Sequence, residues 1–457
     1  MDWFRRHAVL RRISNGGQFL NPIYRVAVMA LLIAPLAHAN PPEIYGFGAR
    51  AISMAEAMTA AVDDTTANFY NPAALTRNSR FQLDTGYLVT QTQLRLNDQD
   101  LGVDEGGGMQ AGVAIPGRIG KVNLAFGMGF FIPQTRLSRV RALPQHQPRF
   151  VMYDNRPQRL FVSVNLAVQP LPWLHIGGGI NFLVHTRGTV HLEGLIFLDE
   201  VARSTLPTSV AVDFTTVRYP SFGVLITPNE TWAIGMSFRD QVSVELDLGA
   251  EVSGALVLGN LLIPGAFQLS SLNHNLFSPR QLWLGATYRP IPKLLVSLDT
   301  GWLQWSNFPS PTAQVSLNLD IENFATEGLL PPTVNVLDPN FHDIIAARLG
   351  LEWTLSLSSK VDLLFRAGYA FEPSPVPDQP EGTNYVDSHK HKLAAGVGVK
   401  LRDWSPHVAA PLSIDLGAQW IRLDAHEYLK KSAADIVGDY KSDGGILSIA
   451  GTIRWQF

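Results

Sequence analysis

The 457-residue chain contains no cysteine, which excludes a disulfide framework, thiolate metal sites and a cysteine nucleophile. Charge is scarce as well. Asp, Glu, Lys and Arg make up 16% of the residues, against about 25% in an ordinary soluble protein. Neither sign dominates, since 36 Lys and Arg stand against 39 Asp and Glu, so no general excess of positive charge invites nucleic acid. Long apolar helices are missing too. The best candidate, residues 252–278, has no charge but is interrupted by Gly254, Gly259, Asn260, Pro264 and Gly265, whereas a spanning helix needs about 20 apolar residues in succession. What is present is 46% hydrophobic and 10% aromatic residues, which excludes disorder. A mean hydropathy of +0.06 is still far too low for a bundle of membrane helices.

The N-terminus reads as a leader. Arg5, Arg6, Arg11, Arg12 and Arg25 precede a short apolar run from Val26 to Leu36, followed by Ala37-His38-Ala39. A basic stretch, a short hydrophobic core and a small-residue cleavage site make a secretory signal peptide over residues 1–39. The remaining chain then has 31 Lys and Arg against 38 Asp and Glu, a formal charge of −7.

Beyond residue 80 the pattern has period two, the mark of strands with two unlike faces. Trp232, Ile234, Met236 and Phe238 alternate with Ala233, Gly235, Ser237 and Arg239; Leu447, Ile449, Ile453 and Trp455 alternate with Ser448, Ala450, Thr452 and Arg454. Fourteen such segments can be marked between residues 81 and 457, among them 121–132, 173–187 and 231–246. Short links such as Gln169-Pro170-Leu171-Pro172 alternate with long connections, the plan of an outer-membrane barrel. Aromatic residues near strand ends, such as Trp173, Trp232, Tyr288, Trp353 and Trp420, suit interfacial girdles. The expectation is an all-β, 14-stranded antiparallel transmembrane barrel over residues 81–457, a monomer in outer-membrane lipid. Its last strand, ending at Phe457, would be read by the barrel assembly machinery.

Residues 40–80 do not alternate. Ala49 to Ala61 is rich in Ala and Met, which favours a short helix. Ile44, Tyr45, Phe47, Ile52, Phe69 and Leu75 need burial, and the nearest enclosed space is the barrel lumen. This segment is therefore expected to be an internal plug.

Here the residues carry a resemblance. Gly46-Phe47-Gly48-Ala49-Arg50-Ala51, Met54-Ala55-Glu56-Ala57, Asp63-Asp64 and Asn68-Phe69-Tyr70-Asn71-Pro72-Ala73 resemble the N-terminal hatch of the outer-membrane long-chain fatty acid and aromatic hydrocarbon transporters, the FadL/TodX (OMPP1-like) family. Trp302-Leu303-Gln304-Trp305-Ser306 and Arg366-Ala367-Gly368-Tyr369-Ala370 resemble later strands of that family. One departure is Glu56, where many members carry glycine. The resemblance implies passive uptake of a hydrophobic small molecule, most simply a long-chain fatty acid, with aromatic or other hydrocarbons as the alternative. It implies capture in an apolar extracellular groove, rearrangement of the hatch and lateral exit beside the third strand. The hatch residues it marks are Gly46, Gly48, Arg50, Asp63, Asp64, Asn71, Pro72 and Ala73.

Composition gives the groove candidates. Two exterior connections are apolar where loops are usually polar: one holds Leu192, Leu195, Ile196 and Phe197 at helical spacing, the other Leu256, Leu258, Leu261, Leu262, Ile263 and Phe267. Apolar surface of this kind marks an interaction site. In the third strand, Gly127 and Gly129 precede Phe131 and Pro133; strand glycines often mark a bend, so a lateral gate is expected there, with room for the hatch as the other reading. Lumen charges are expected at Arg239, Glu245, Asp299, Arg348, Glu352, Asp362, Arg366 and Lys392.

Rival classes are weakly supported. There is no G-x-S-x-G nucleophile elbow. His426-Glu427-Tyr428-Leu429-Lys430 lacks the second His of a zinc protease, and His389 and His391 read as solvated rather than as metal ligands. A lipid-modifying enzyme is therefore not expected, nor any cofactor or metal. A polar-solute porin fits poorly with a resident plug.

Overall fold

The computed structural model describes residues 42–134, 147–153, 160–197, 208–258, 261–310, 314–321, 337–402, 411–432 and 435–457. The leader expected over residues 1–39 lies outside them. No helix among them is long and apolar enough to cross a membrane.

Fourteen antiparallel strands close into a barrel. They are β1 (Gln82–Leu96), β2 (Gly107–Ile119), β3 (Val122–Pro133), β4 (Phe161–Leu171), β5 (Leu174–Phe197), β6 (Thr208–Ile226), β7 (Trp232–Arg239), β8 (Arg280–Ile291), β9 (Leu294–Gln304), β10 (Ile344–Ser356), β11 (Val361–Glu372), β12 (Lys390–Leu401), β13 (Leu412–Tyr428) and β14 (Tyr440–Gln456). Each pairs with the next, and β14 pairs with β1 from Gln82↔Gln456 to Leu96↔Ser442. Closure removes both edges, which is the condition for a sheet to survive in lipid. The seam finishes at the short-turn end, where Phe457 N donates to Phe81 O at 2.9 Å.

The alternation read from the sequence is realised. On β7, Trp232, Ile234 and Met236 are exposed to the lipid side while Ala233, Ser237 and Arg239 are buried. The same holds on β14, with Leu447, Ile449 and Ile453 outside and Ser448, Ala450, Thr452 and Arg454 inside.

Besides the two-residue strand Gln99–Asp100, three strands outside the ring were not expected. Segment 231–246 is not one strand. It breaks at Asp240-Gln241, and the chain re-enters as Val242–Leu258. That strand leaves the ring and runs parallel to the upper half of β5, from Gly188↔Leu248 to Phe197↔Val257. It turns back into Leu261–Ser278, on which Gln314–Ile321 adds antiparallel. β5 is 24 residues long, more than twice the 9–11 a tilted spanning strand needs. With β6, these strands form a sheet standing above the barrel on the long-loop side. Leu192, Leu195, Ile196 and Phe197, expected in a connection at helical spacing, are therefore strand residues; the ladder to 248–257 satisfies their backbone better than an isolated turn of helix would.

Candidate functional site: the plugged lumen

Residues 42–77 fill the barrel. Three short helices, α1 (Pro42–Tyr45), α2 (Ala49–Ser53) and α3 (Ala67–Tyr70), precede a 3-10 turn, Pro72–Arg77. Nearly every side chain in this stretch is buried. The helix expected across Ala49–Ala61 stops at Ser53 because Ala55 and Glu56 take left-handed backbone angles (φ 48° and 64°). Side chains resist that region, so a glycine would sit there with less strain, which accounts physically for the family pattern from which Glu56 departs. What Glu56 gains is charge pairing: its carboxylate accepts from Lys392 Nζ at 2.8 Å and Arg348 Nη2 at 3.2 Å. Gly46 and Gly48 have φ near +87° and +88°, and Gln110 of β2 brackets them, donating to Gly46 O and accepting from Gly48 N.

Arg50 holds the plug to the wall. Its guanidinium grips Glu352 of β10 with two bonds (2.8 and 3.2 Å), and it also contacts Asp63 and Asp64 of the plug itself. Glu352 binds Arg366 of β11, which reaches Asp415 of β13 at 2.7 Å. On the other side Asp64 takes Arg454 of β14 at 2.8 Å, and Arg454 binds Asp84 of β1 at 3.0 Å. Three guanidiniums and five carboxylates thus join the plug to five strands around the seam. Forked Arg–carboxylate geometry of this kind is among the stronger polar contacts available.

The Asn-Pro-Ala element docks on the far wall. Asn71 caps the 3-10 turn by accepting from Ala73 N (3.2 Å), and its amide donates to Thr59 O and Val224 O. Pro72 takes the first helical position, where its missing N–H costs nothing. The wall yields space here because Gly177 of β5 and Gly223 of β6 face each other in register. A Cβ on Gly177 would fall 2.5 Å from Ala73 N and Pro72 C; one on Gly223 would fall 2.0 Å from Asn71 Oδ1. Gly235, Gly285, Gly368, Gly396 and Gly417 meet the plug as closely. Gly127 and Gly129 belong to the same seat: Asn68 Oδ1 would lie 2.3 Å from a Cβ at Gly127, and Asn68 Cβ 3.2 Å from one at Gly129. β3 pairs without register shift with β2 along its length and with β4 from Asn123↔Gln169 to Phe131↔Phe161. Ile132 and Pro133 continue past the last β4 partner.

The remaining expected charges are also accounted for. Arg239 lies 3.9 Å over the Phe69 ring and binds Glu43. Asp299 accepts from Thr59 N at 2.9 Å. Asp362 faces inward but pairs with Arg402 near the short-turn end, away from the plug. The side chain of Glu245 lies outside the described residues.

Two apolar features occupy the extracellular side. Phe277, Trp305, Phe308, Phe341 and Tyr385 form a buried aromatic cluster, with Phe308 and Phe341 stacked at 4.3 Å. It adjoins the plug's first helix, since Ser278 bonds Glu43. The sequence hint was the Trp302–Ser306 motif, but the cluster joins three separate connections between ring strands. The second feature is the raised sheet. Its ladders bring all ten groove candidates onto adjoining strands: Ile196↔Leu256, Leu256↔Ile263, Leu258↔Leu261 and Phe267↔Val252. Their side chains lie outside the described residues.

The plug packs closely against the wall among the described residues. Between the plug and the β7–β10 wall, a void of only about 20 Å³ remains among Glu43, Glu56, Phe69, Arg239, Trp283 and Arg348, room for one water. Below the plug a vestibule of about 1150 Å³ opens between the short turns, lined by Arg77, His175, Trp232 and Arg289.

Two carboxylates of the plug, Asp63 and Asp64, stay ionised in mild acid. Burial works against ionisation of Asp63 and Asp64, yet Arg50 at Asp63 and Arg454 and Arg50 at Asp64 outweigh it and hold both below the ordinary carboxylate range. Carboxylates depressed in this way contribute stability that is complete above about pH 5 and is lost only as the pH falls below about 3.9.

A family model described as outer membrane protein transport protein (OMPP1/FadL/TodX) matches residues 30–449. The chain is 23% identical to alkane uptake protein A of Marinobacter nauticus, with 96% of this chain and 98% of that protein covered. Among solved structures it matches the Pseudomonas putida toluene transporter TodX at a TM-score of 0.55 and 13% identity, covering 91% of this chain and 99% of that one. It matches a FadL homologue of Pseudomonas aeruginosa at 0.54 and 12%, covering 90% and 97%. At such identities these structural likenesses establish the fold.

Proposed function

The chain belongs to the OMPP1/FadL/TodX family of outer membrane transport proteins, and from that premise we propose that it passes neutral hydrocarbons, alkane-like molecules foremost, into the cell without an energy source. It is an outer-membrane barrel that transports hydrophobic compounds, not an enzyme.

The observation that carries the finer reading is the pairing of lumen charge. Arg50, Arg239, Arg348, Arg366, Lys390, Lys392 and Arg454 are each matched to a carboxylate among the described residues. A fatty acid that bound one of these cations would have to take it from its pair, which leaves a carboxylate uncompensated and is costly. A neutral chain requires no such exchange and finds the aromatic cluster around Trp305 and Phe308 already apolar. The alkane uptake protein that matches this chain from end to end supports the same reading.

In this reading the raised sheet with Leu192, Leu195, Ile196, Phe197, Leu256, Leu258, Leu261, Leu262, Ile263 and Phe267 gathers the ligand, and the aromatic cluster receives it beside α1. The plug then shifts, and exit begins beside β3 at Phe131–Pro133, above the last β4 partner.

Uptake of labelled hexadecane and of labelled palmitate by cells with and without the protein is the direct test. Loss of the protein should slow hexadecane entry several-fold and leave palmitate entry unchanged. The reverse pattern would restore the fatty acid as ligand.

A further inference from the structure

Outside the lumen, the wall at the barrel seam has a graded surface that transport does not use. β1, β14 and β13 lie side by side, and their register sorts the outward residues into ranks. Val89, Ile449 and Ala418 form an apolar rank. Above it come Gln91, Leu447 and Trp420. Above those come Gln93, Gly445 and Arg422, and then Arg95 opposite Asp443. Val89, Ile449 and Trp420 are 49%, 46% and 45% exposed, so this is the lipid side. A Trp on that side marks the level where hydrocarbon gives way to headgroups; the amides and guanidiniums stand just above it.

At this level the wall is indented by a cleft of about 490 Å³, lined by Gln93, Arg95, Trp420, Arg422, Asp443 and Gly445. Gly445 keeps it open, since a Cβ there would lie 2.9 Å from Trp420 Nε1. Arg95 Nε donates to Asp443 Oδ1 at 2.7 Å, which neutralises the one carboxylate in the lining. Arg422 is exposed and has no carboxylate partner among the described residues. Within the lining two guanidiniums stand against one carboxylate beside amides and an indole, while Asp98 and Asp100 act on Arg95 from outside it.

We propose that this cleft holds the phosphorylated sugar headgroup of one outer-leaflet glycolipid, a lipopolysaccharide molecule. A guanidinium offers a fork that fits phosphate oxygens. Glutamine amides suit sugar hydroxyls, and an indole face beside them suits a sugar ring. The site is an anchor in the leaflet and is independent of the ligand carried through the lumen.

The test uses the full-length protein purified from outer membranes and native mass spectrometry with rough lipopolysaccharide as the probe. The wild type should retain one molecule per barrel, not displaced by inorganic phosphate or by phosphatidylglycerol. Arg422→Gln and Arg95→Gln should each reduce retention about tenfold or more, and Arg422→Lys should largely keep it. Gly445→Leu fills the cleft without changing charge and should also lose the glycolipid. Heat-modifiable gel migration checks that each barrel is folded. Undiminished retention by folded Gly445→Leu or by the Arg95→Gln/Arg422→Gln pair would overturn the proposal, as would displacement by phosphate or equal binding of phosphatidylglycerol.

Discussion

Replacing Arg50 by alanine is expected to turn a closed barrel into a conducting one. Arg50 is the plug residue on which the seam network converges, bound to Glu352 at 2.8 Å and in contact with Asp63 and Asp64. Without it, Asp63 loses its ion-pair partner among the described residues, where Glu352 keeps Arg366 and Asp64 keeps Arg454. Removing one partner of a buried pair costs about 3–5 kcal/mol because the remaining charge stays buried and uncompensated. Since about 1.4 kcal/mol is a tenfold change, the ratio of seated to unseated plug falls by roughly a hundred- to several-thousand-fold. The barrel ladders do not involve this side chain, so assembly and heat-modifiable migration should survive. Planar-bilayer recordings should show frequent openings absent from the wild type. A folded Arg50→Ala barrel that stays as quiet as the wild type would remove Arg50 from its role as anchor.

The barrel was legible in the sequence because its outward side chains face one solvent and its inward ones another, so Trp232, Ile234 and Met236 betray a strand without any partner in view. The strands above the ring were not legible. Gly188–Phe197 and 248–257 pair with each other rather than with lipid, and nothing forces their residues to alternate. The lumen charges could be named from the same alternation, but their partners could not. Arg50 meets Glu352 and Lys392 meets Glu56 across some three hundred residues of chain, and only closure of the barrel brings them together. Glu56 shows the limit from the other side. Its sequence marks it as a departure from a glycine pattern, while the two cations it neutralises appear only in the fold.

The wall glycines, like the charge pairs, acquire their role only once the barrel closes around the plug. Gly177 and Gly223 are 46 residues apart in sequence and face each other across the β5–β6 ladder. A valine at Gly177 would put its Cβ 2.5 Å from Ala73 N and Pro72 C, backbone atoms of the Asn-Pro-Ala turn that cannot rotate away. Overpacking against yielding side chains costs about 1–3 kcal/mol; against backbone on both sides the cost belongs at the top of that range or above it. The strain has two outlets, because the strand is locked in register on both faces while the plug is held by side-chain contacts. The plug gives way. Gly177→Val should therefore leave the barrel folded but raise its open fraction about a hundredfold, with Gly223→Val behaving alike and the double variant adding little once the turn has been expelled. Gly117→Ala, near the short-turn end of β2 with nothing within 4 Å of an added Cβ, is the matched control and should stay closed. A quiet, folded Gly177→Val barrel would mean that the Asn71–Ala73 turn does not seat the plug, and that the seam network alone keeps the lumen shut.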